Sequence, residues 1–495
     1  MAMKVVLAGY NIDSTVIEEL KGASPRRDDA TPETLSASYA RISRDPRPID
    51  QLRAAARAEV ERARRSNQKI IFRMGHHSVA EHAVFNFDII GVSRLALEEI
   101  EKFRLCSYTE KSQRYVILKN DFVLPEEIKK AGLQKIFVDT IRAQNALYHK
   151  LYKRLRPHIF TKHEEMAKDP KKHSLLNGWA KEDARYVVSL ATHGQVGMTL
   201  NARNLEFFIR RFSAKKLDEL KELNQKIYRL AKEVAPSIIL FTEADDFDAK
   251  TYEDLKAGVD EFMSSKKKAG NDVVQLITYT PEADDRLVAS LLHSSSSLPY
   301  EACLENTKRL SLERKKEFLK LAFRHMEFYD SVLREFEYVD LTFDLILSAT
   351  CFAQLKRHRM ATVTTQKYNP ALGVTIPPSI EEVGNENEYL EMIARTNDVY
   401  SLLNERLKQG AEYVLTNAHR KRVLIKVNAR ELYHISRLRE DRAAQWDIRQ
   451  VVGKMTELAR KVMPLTFLLV GSKDNYPHVY KELFGRRPKF DSPNL

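Results

Sequence analysis

The chain has 495 residues, enough for two domains or more. Its 43% hydrophobic content, with only 16 Gly and 17 Pro, fits an ordinary helix-rich globular protein. No run of about 18 apolar residues exists, which excludes a membrane-spanning helix, and the apolar part of the N-terminus is too short for a signal peptide. Cys106, Cys303 and Cys351 are scattered without metal-ligand spacing, so no metal site is expected and a reducing cytoplasm is. The excess of 13 positive charges points to anionic partners. It is spread along the chain and does not separate a nucleotide from a nucleic acid.

In chain order, residues 4–8 (Lys-Val-Val-Leu-Ala) predict a first β-strand. Thr31 caps a helix with Glu33 in its first turn, running to about residue 43. Residues 49–66, dense in Ala and Arg, predict a second helix. Met74, Gly75, His76, His77, Ser78, Val79, Ala80, Glu81 and His82 then lead into a strand over residues 83–90. Leu95, Leu97, Ile100 and Phe103 form the apolar face of the next helix. That helix breaks into a polar loop with Ser107, Thr109, Ser112 and Arg114. Hydroxyls and an arginine after a helix end suit an oxyanion. Residues 116–124 read as extended, 126–155 as helical, and 157–177 as a basic, irregular insertion. A helix over 182–192 precedes a strand at 197–200, then Asn201, Ala202 and Arg203, then a helix over 215–234. Residues 246–271, ending in the basic run Lys266 to Lys268, read as a linker that is helical in part.

The chain then repeats itself. Residues 272–278 resemble the first strand, and 289–294 match 40–43. Residues 338–346 echo 82–90, and 354–359 (Gln-Leu-Lys-Arg-His-Arg) echo 99–104 (Glu-Ile-Glu-Lys-Phe-Arg). Lys426 to Leu432 echo Thr199 to Leu205, each with Asn-Ala-Arg at its centre. Five ordered matches predict an internal duplication with domain-sized copies. The expected domains are 1–245 and 272–495, joined by 246–271, as an α+β fold and an intrachain pseudo-dimer.

These motifs together resemble the flavin-dependent thymidylate synthases. That family carries a His-x-Ser/Thr with a following Glu-His, an Arg-His-Arg followed by two serines and an arginine, and a later Asn-Ala-Arg. The resemblance implies two tandem domains of that fold and a cytoplasmic homodimer, hence a pseudo-tetramer. It implies reductive methylation of dUMP to dTMP with FAD, and with NADPH and methylenetetrahydrofolate as co-substrates. By resemblance Ser112 and Arg357 are catalytic. Glu110, Ser112, Gln113, Arg114, Arg185, Gln354, Arg357 and Arg439 bind substrate. Ser43, His76, Ser78, Glu81, Asn201 and Arg203 in the first half, and Arg357, His358, Arg359, Asn428 and Arg430 in the second, face the cofactor. Asn201 and Asn428 also read as simple helix caps, and Cys106 reads as structural.

Each copy departs from the family where the other keeps to it. The first half has Lys102, Phe103 and Arg104 in place of Arg-His-Arg, and Phe212 in place of Arg439. The second half keeps Arg357, His358 and Arg359 but has Asn369 where the first has Arg114, and Glu412 where it has Arg185. One composite site and one decayed counterpart are expected. Two other readings remain: a flavin enzyme acting on uracil in RNA, with Lys162, Lys168, Lys171 and Lys172 tracking phosphates, or a non-catalytic binding protein.

Overall fold

The computed structural model of the protein describes residues 2–20, 28–263, 270 and 272–490. In the first half, β1 (Lys4–Tyr10), β2 (Val84–Ser93), β3 (Ser107–Glu110) and β4 (His193–Asn201) form an antiparallel sheet in the order β1-β2-β4-β3. Period-two alternation sets the face of β2: Phe85, Phe87 and Ile89 are buried while Asn86 and Asp88 are exposed. Each such burial contributes about 1.5–3 kcal/mol. The buried face packs against helices Ala202–Ser213 and Asp218–Val234 through Phe208, Phe212, Leu223 and Ile227. Gly91, at φ 73°, takes the extra position where β2 bulges against β4.

The second half builds the same sheet from β5 (Val274–Tyr279), β6 (Asp340–Ser348), β7 (Thr362–Thr365) and β8 (Arg420–Asn428), in the order β5-β6-β8-β7. The ladders correspond apart from the Gly91 bulge, which the β6–β8 ladder lacks. Ser107 faces Thr199 as Thr362 faces Lys426, and Ser93 faces His193 as Ser348 faces Arg420. One local device also recurs. Ser93 caps helix Arg94–Ile100 and hydrogen-bonds the buried Glu219 (2.7 Å); Ser348 caps helix Ala349–Leu355 and donates to the buried Asp447 (2.6 Å).

The residues divide into two compact units that do not follow the halves of the sequence: Met1–Lys268 with Glu382–Leu415, and Ala269–Glu381 with Thr416–Leu495. Within the first unit, Val399 and Leu403 of helix Glu386–Arg406 join a core with Phe137 and Ile141 of helix Gln134–Lys162. Gln144 donates to Thr396 at 2.9 Å and Tyr413 to Glu219 at 2.6 Å.

Several expected elements differ. The helix over 49–66 breaks at Glu59 (φ −129°, ψ 65°) into Ile49–Ala58 and Val60–Asn67, which lets Ala56 and Ala63 both meet Ala37. Residues 126–155 are split by Gly132 at φ 70° into Glu126–Lys130 and Gln134–Lys162. The insertion over 157–177 is helical rather than irregular, and Pro157 lies inside its helix. Leu151, Leu155 and Ile159 continue one buried stripe through it, which outweighs the lost hydrogen bond. Residues 116–124 make only a bridge, Phe122 to Thr192, and no strand. The helix expected over 182–192 is the end of His173–Ala184 and a 3-10 turn, Arg185–Val187. Part of the polar loop after Phe103 is strand β3, an edge too short for the sequence pattern to reveal. In the expected linker, Asp246–Phe262 is a helix; Lys266 to Lys268 lie outside the described residues.

Candidate functional site

In the first half β3 ends at Glu110 and the chain turns under helix Arg94–Ile100. Glu110, Ser112 and Gln113 there line a small, partly open pocket of about 60 Å³ with Arg94, Leu97, Asn145, Thr192, His193 and Gly194. The carboxylate of Glu110 pairs with Arg94, and both side chains are buried. Ser112 Oγ accepts the Arg114 N–H at 3.2 Å, fixing the turn, and Arg114 Nε donates to Glu182 at 2.5 Å. Arg185 is buried too. Desolvation brings its guanidinium down to about 10, with Glu182 opposing and the charges of Arg94 and Arg114 adding to the fall. The guanidinium groups of Arg94, Arg114 and Arg185 thus act on one another beside the carboxylates of Glu110 and Glu182. Thr192 Oγ1 is buried on the pocket wall with no hydrogen-bond partner among the described residues.

The second-half candidates stand at the end of helix Ala349–Leu355. Gln354 Nε2 donates to the buried Gln445 at 3.0 Å. Arg357 is half-buried and Arg359 exposed. His358 is buried between them and accepts at Nε2 from Arg439 Nε, 2.9 Å away. An acceptor Nε2 requires the proton on Nδ1, which lies 3.6 Å from Glu431 Oε1. Burial, then Arg439 and His434, hold this imidazole well below the ordinary histidine range, so it is neutral. Burial raises the Glu431 carboxyl. Arg439, His358 and Glu431 form one polar chain.

Both Asn-Ala-Arg motifs act as caps. Asn201 accepts from the Asn204 N–H at 3.0 Å and Asn428 from the Glu431 N–H at 2.8 Å. Their arginines pair at matching places: Arg203 with Glu81 (2.6 Å) and Arg430 with Glu337 (2.8 Å), the latter also with the Val332 carbonyl. Ser43, His76 and Ser78 are exposed on the first unit, and His76 Nε2 lies 3.3 Å from Arg44. Cys106 is buried in the first-half core.

Sequence reasoning passed over Arg94, Thr192, Glu182, Gln445 and Glu431. Arg94 carried a signal: a cation in the first turn of a helix opposes the helix dipole and calls for another reason to be there. Thr192 carried none. All the first-half candidates lie in the first unit and all the second-half ones in the second.

Comparison with known proteins follows the two halves of the sequence rather than the two units. The family described as Thymidylate synthase complementing protein matches residues 27–237 and again residues 275–465. A flavin-dependent thymidylate synthase of Clostridium tetani is 28% identical over 214 residues, 43% of this chain and 82% of that protein. One from Geobacter sulfurreducens is 31% identical over 208 residues, 42% of this chain and 80% of that protein. A UPF0159 protein of Thermoplasma acidophilum has the double length. It is 23% identical over 471 residues, covering 87% of this chain and 92% of the relative.

Proposed function

The chain belongs to the thymidylate synthase complementing protein family, and from that premise we propose that it methylates dUMP to dTMP with a bound flavin. The observation that carries this reading is the pocket lined by Arg94, Glu110, Ser112, Gln113 and Thr192, together with the charged group of Arg114, Glu182 and the buried Arg185 that interacts with Arg94. Its guanidinium groups suit the phosphate of dUMP, while the Ser112 hydroxyl and the Gln113 and Gln354 amides suit a pyrimidine edge. Arg357 and Arg439 supply positive charge toward the base, polarising it without a cysteine nucleophile; all three cysteines are buried. Neutral His358 holds Arg439 in place. The exposed Arg44 and His76 suit the pyrophosphate of FAD, with Ser43, Ser78, Glu81, Asn201, Arg203, Asn428, Arg430 and Arg359 as further candidates. Held by these residues, FAD would supply hydride chemistry, with NADPH as the reductant and methylenetetrahydrofolate as the carbon source.

On this proposal, activity depends on residues of both halves, and the protein is a homodimer with one flavin per chain. The purified protein is expected to be yellow and to convert dUMP in the presence of NADPH and methylenetetrahydrofolate. Ser112→Ala, Arg114→Ala and Arg357→Ala are each expected to lower the rate tenfold to over a hundredfold, about 1.5–3 kcal/mol. Arg114→Ala and Arg357→Ala should be non-additive because both act on one substrate. Two flavins per chain, or fully additive losses, would overturn the dependence on both halves; light scattering of an active monomer would overturn the dimer. The reading in which RNA is the substrate has less support, since Lys162 pairs with Glu382 and Lys168 with Glu165.

A further inference from the structure

The two sheets share a register, so the first-half pocket has a defined counterpart in the second half. The β4 and β8 ladders place Gly194 where the second half has Lys421, because Val92 faces Gly194 and Leu347 faces Lys421. The serine caps place Leu97 where it has Phe352. The Lys111 N–H bonds the Gln195 carbonyl as the Gln366 N–H bonds that of Arg422, which places Gln113 opposite Tyr368. Three lining positions of an open pocket are therefore Leu, Gln and Gly in one copy and Phe, Tyr and Lys in the other.

In the first half the absence of a side chain at Gly194 leaves its place to Leu97; a Cβ there would run into Leu97 Cδ1. In the second half Lys421 is only 4% exposed and its ammonium stands between two rings. Nζ is 3.9 Å from the Phe352 centroid and 4.2 Å from that of Tyr368, itself 3% exposed. A cation between two ring faces is attracted by both quadrupoles, and the attraction grows as water is excluded. The cationic and acidic partners of the first pocket are missing here, since Ala349 stands for Arg94 and Thr365 for Glu110.

We infer that Lys421 is an internal ligand: it permanently fills the second copy of this pocket, so that of the two equivalent copies the first-half one alone is open to a ligand. This rests on the reading of the first-half pocket as a ligand site. The test uses the full-length chain and no nucleotide. Lys421→Ala removes Cγ, Cδ, Cε and Nζ and leaves a hole between Phe352 and Tyr368 that n-propylammonium fits and n-propanol fills without charge. At tens of millimolar, n-propylammonium is expected to raise the melting temperature of Lys421→Ala by about 2–4 °C. n-Propanol should raise it less, and neither should shift the wild type. Equal effects of the two, or an equal shift of the wild type, would overturn the inference. Should Lys421→Ala not fold, reductive methylation of the wild type decides. Lys421 is expected to stay unmodified while the exposed Lys426 reacts, and comparable rates at the two would overturn the inference. Failure of either measurement differs from failure of the synthase reading, which appears as absent methyl transfer.

Discussion

The ends of the two equivalent helices hold opposite chemistry on the same backbone. In the first half Phe103 packs against Phe208 at 4.8 Å and Phe212 at 6.0 Å, and Phe208 stacks on Phe212 at 4.1 Å. In the second half the same two places hold His358 and Arg439, joined at 2.9 Å. One copy has an aromatic cluster that stabilises by burial and ring contact. The other has a buried polar chain that stabilises little net, because desolvation offsets its hydrogen bonds. The difference separates two demands on one fold: the first copy's helix end serves the core, and the second's holds a hydrogen-bonded polar chain that, on the proposed function, faces the substrate.

The largest test moves the polar chemistry into the aromatic copy. Phe212→Arg puts a guanidinium into a fully buried position beside Phe103 and Phe208, and Asn204 there replaces Glu431. A stability loss of about 3–5 kcal/mol is expected in urea unfolding. A loss below about 1 kcal/mol would mean the cluster does not depend on being apolar. The reverse change, Arg439→Ala, is expected to leave folding nearly intact and to lower dTMP formation tenfold to over a hundredfold. Flavin content measured on the same sample separates lost chemistry from lost cofactor.

A smaller effect is read in the pH dependence. His358 is held well below the ordinary range and burial brings His419 down to about 4, whereas both titrate near about 6.5 when unfolded. As the pH falls below about 6.5 the unfolded chain binds more protons than the folded one. Stability is therefore lost between about 6.5 and the folded values, by up to about 1.4 kcal/mol per pH unit for each histidine. His358→Phe, the first-half residue, should remove its share of that slope and leave the part from His419. An unchanged acid slope would show that His358 is not held neutral by its surroundings. The smallest effect is expected at Arg203, whose pair with Glu81 is half exposed. Arg203→Ala should change stability by about 0–1 kcal/mol, so a loss of flavin in that variant would assign the arginine to the cofactor.

The duplication was legible because the caps and the Asn-Ala-Arg helices repeat as short strings. Thr31, Asn201 and Asn428 cap in the structure as their sequence positions imply. The strand expected over 83–90 is likewise present as a core strand, with Phe85 and Phe87 on its buried face. What stayed hidden is tertiary. Pro157 reads as a breaker unless the buried stripe on either side is known to be one helix. β3 has four residues and pairs only with β4, so local pattern cannot reveal it. Thr192 and Lys421 are set among residues far away in sequence, and nothing near them announces it; Arg94 carried only its unfavourable place in the first turn of a helix.

The placement of residues Glu382–Leu415 in the first unit bears on how the chain is made. Val399, Leu403 and Tyr413 complete a core whose other members, Ile128, Phe137 and Ile141, are synthesised much earlier. At ~5–20 residues per second the early part of that unit waits on the order of ten seconds for its last helix. During that interval the carboxylate of Glu219 lacks its tyrosine partner and an apolar face of helix Gln134–Lys162 stands uncovered. The two copies are thus bound in time as well as in sequence: ribosome-bound intermediates ending before residue 382 hold a first unit that a chaperone could recognise, and a gene cut at the repeat boundary would encode a fragment without its closing helix.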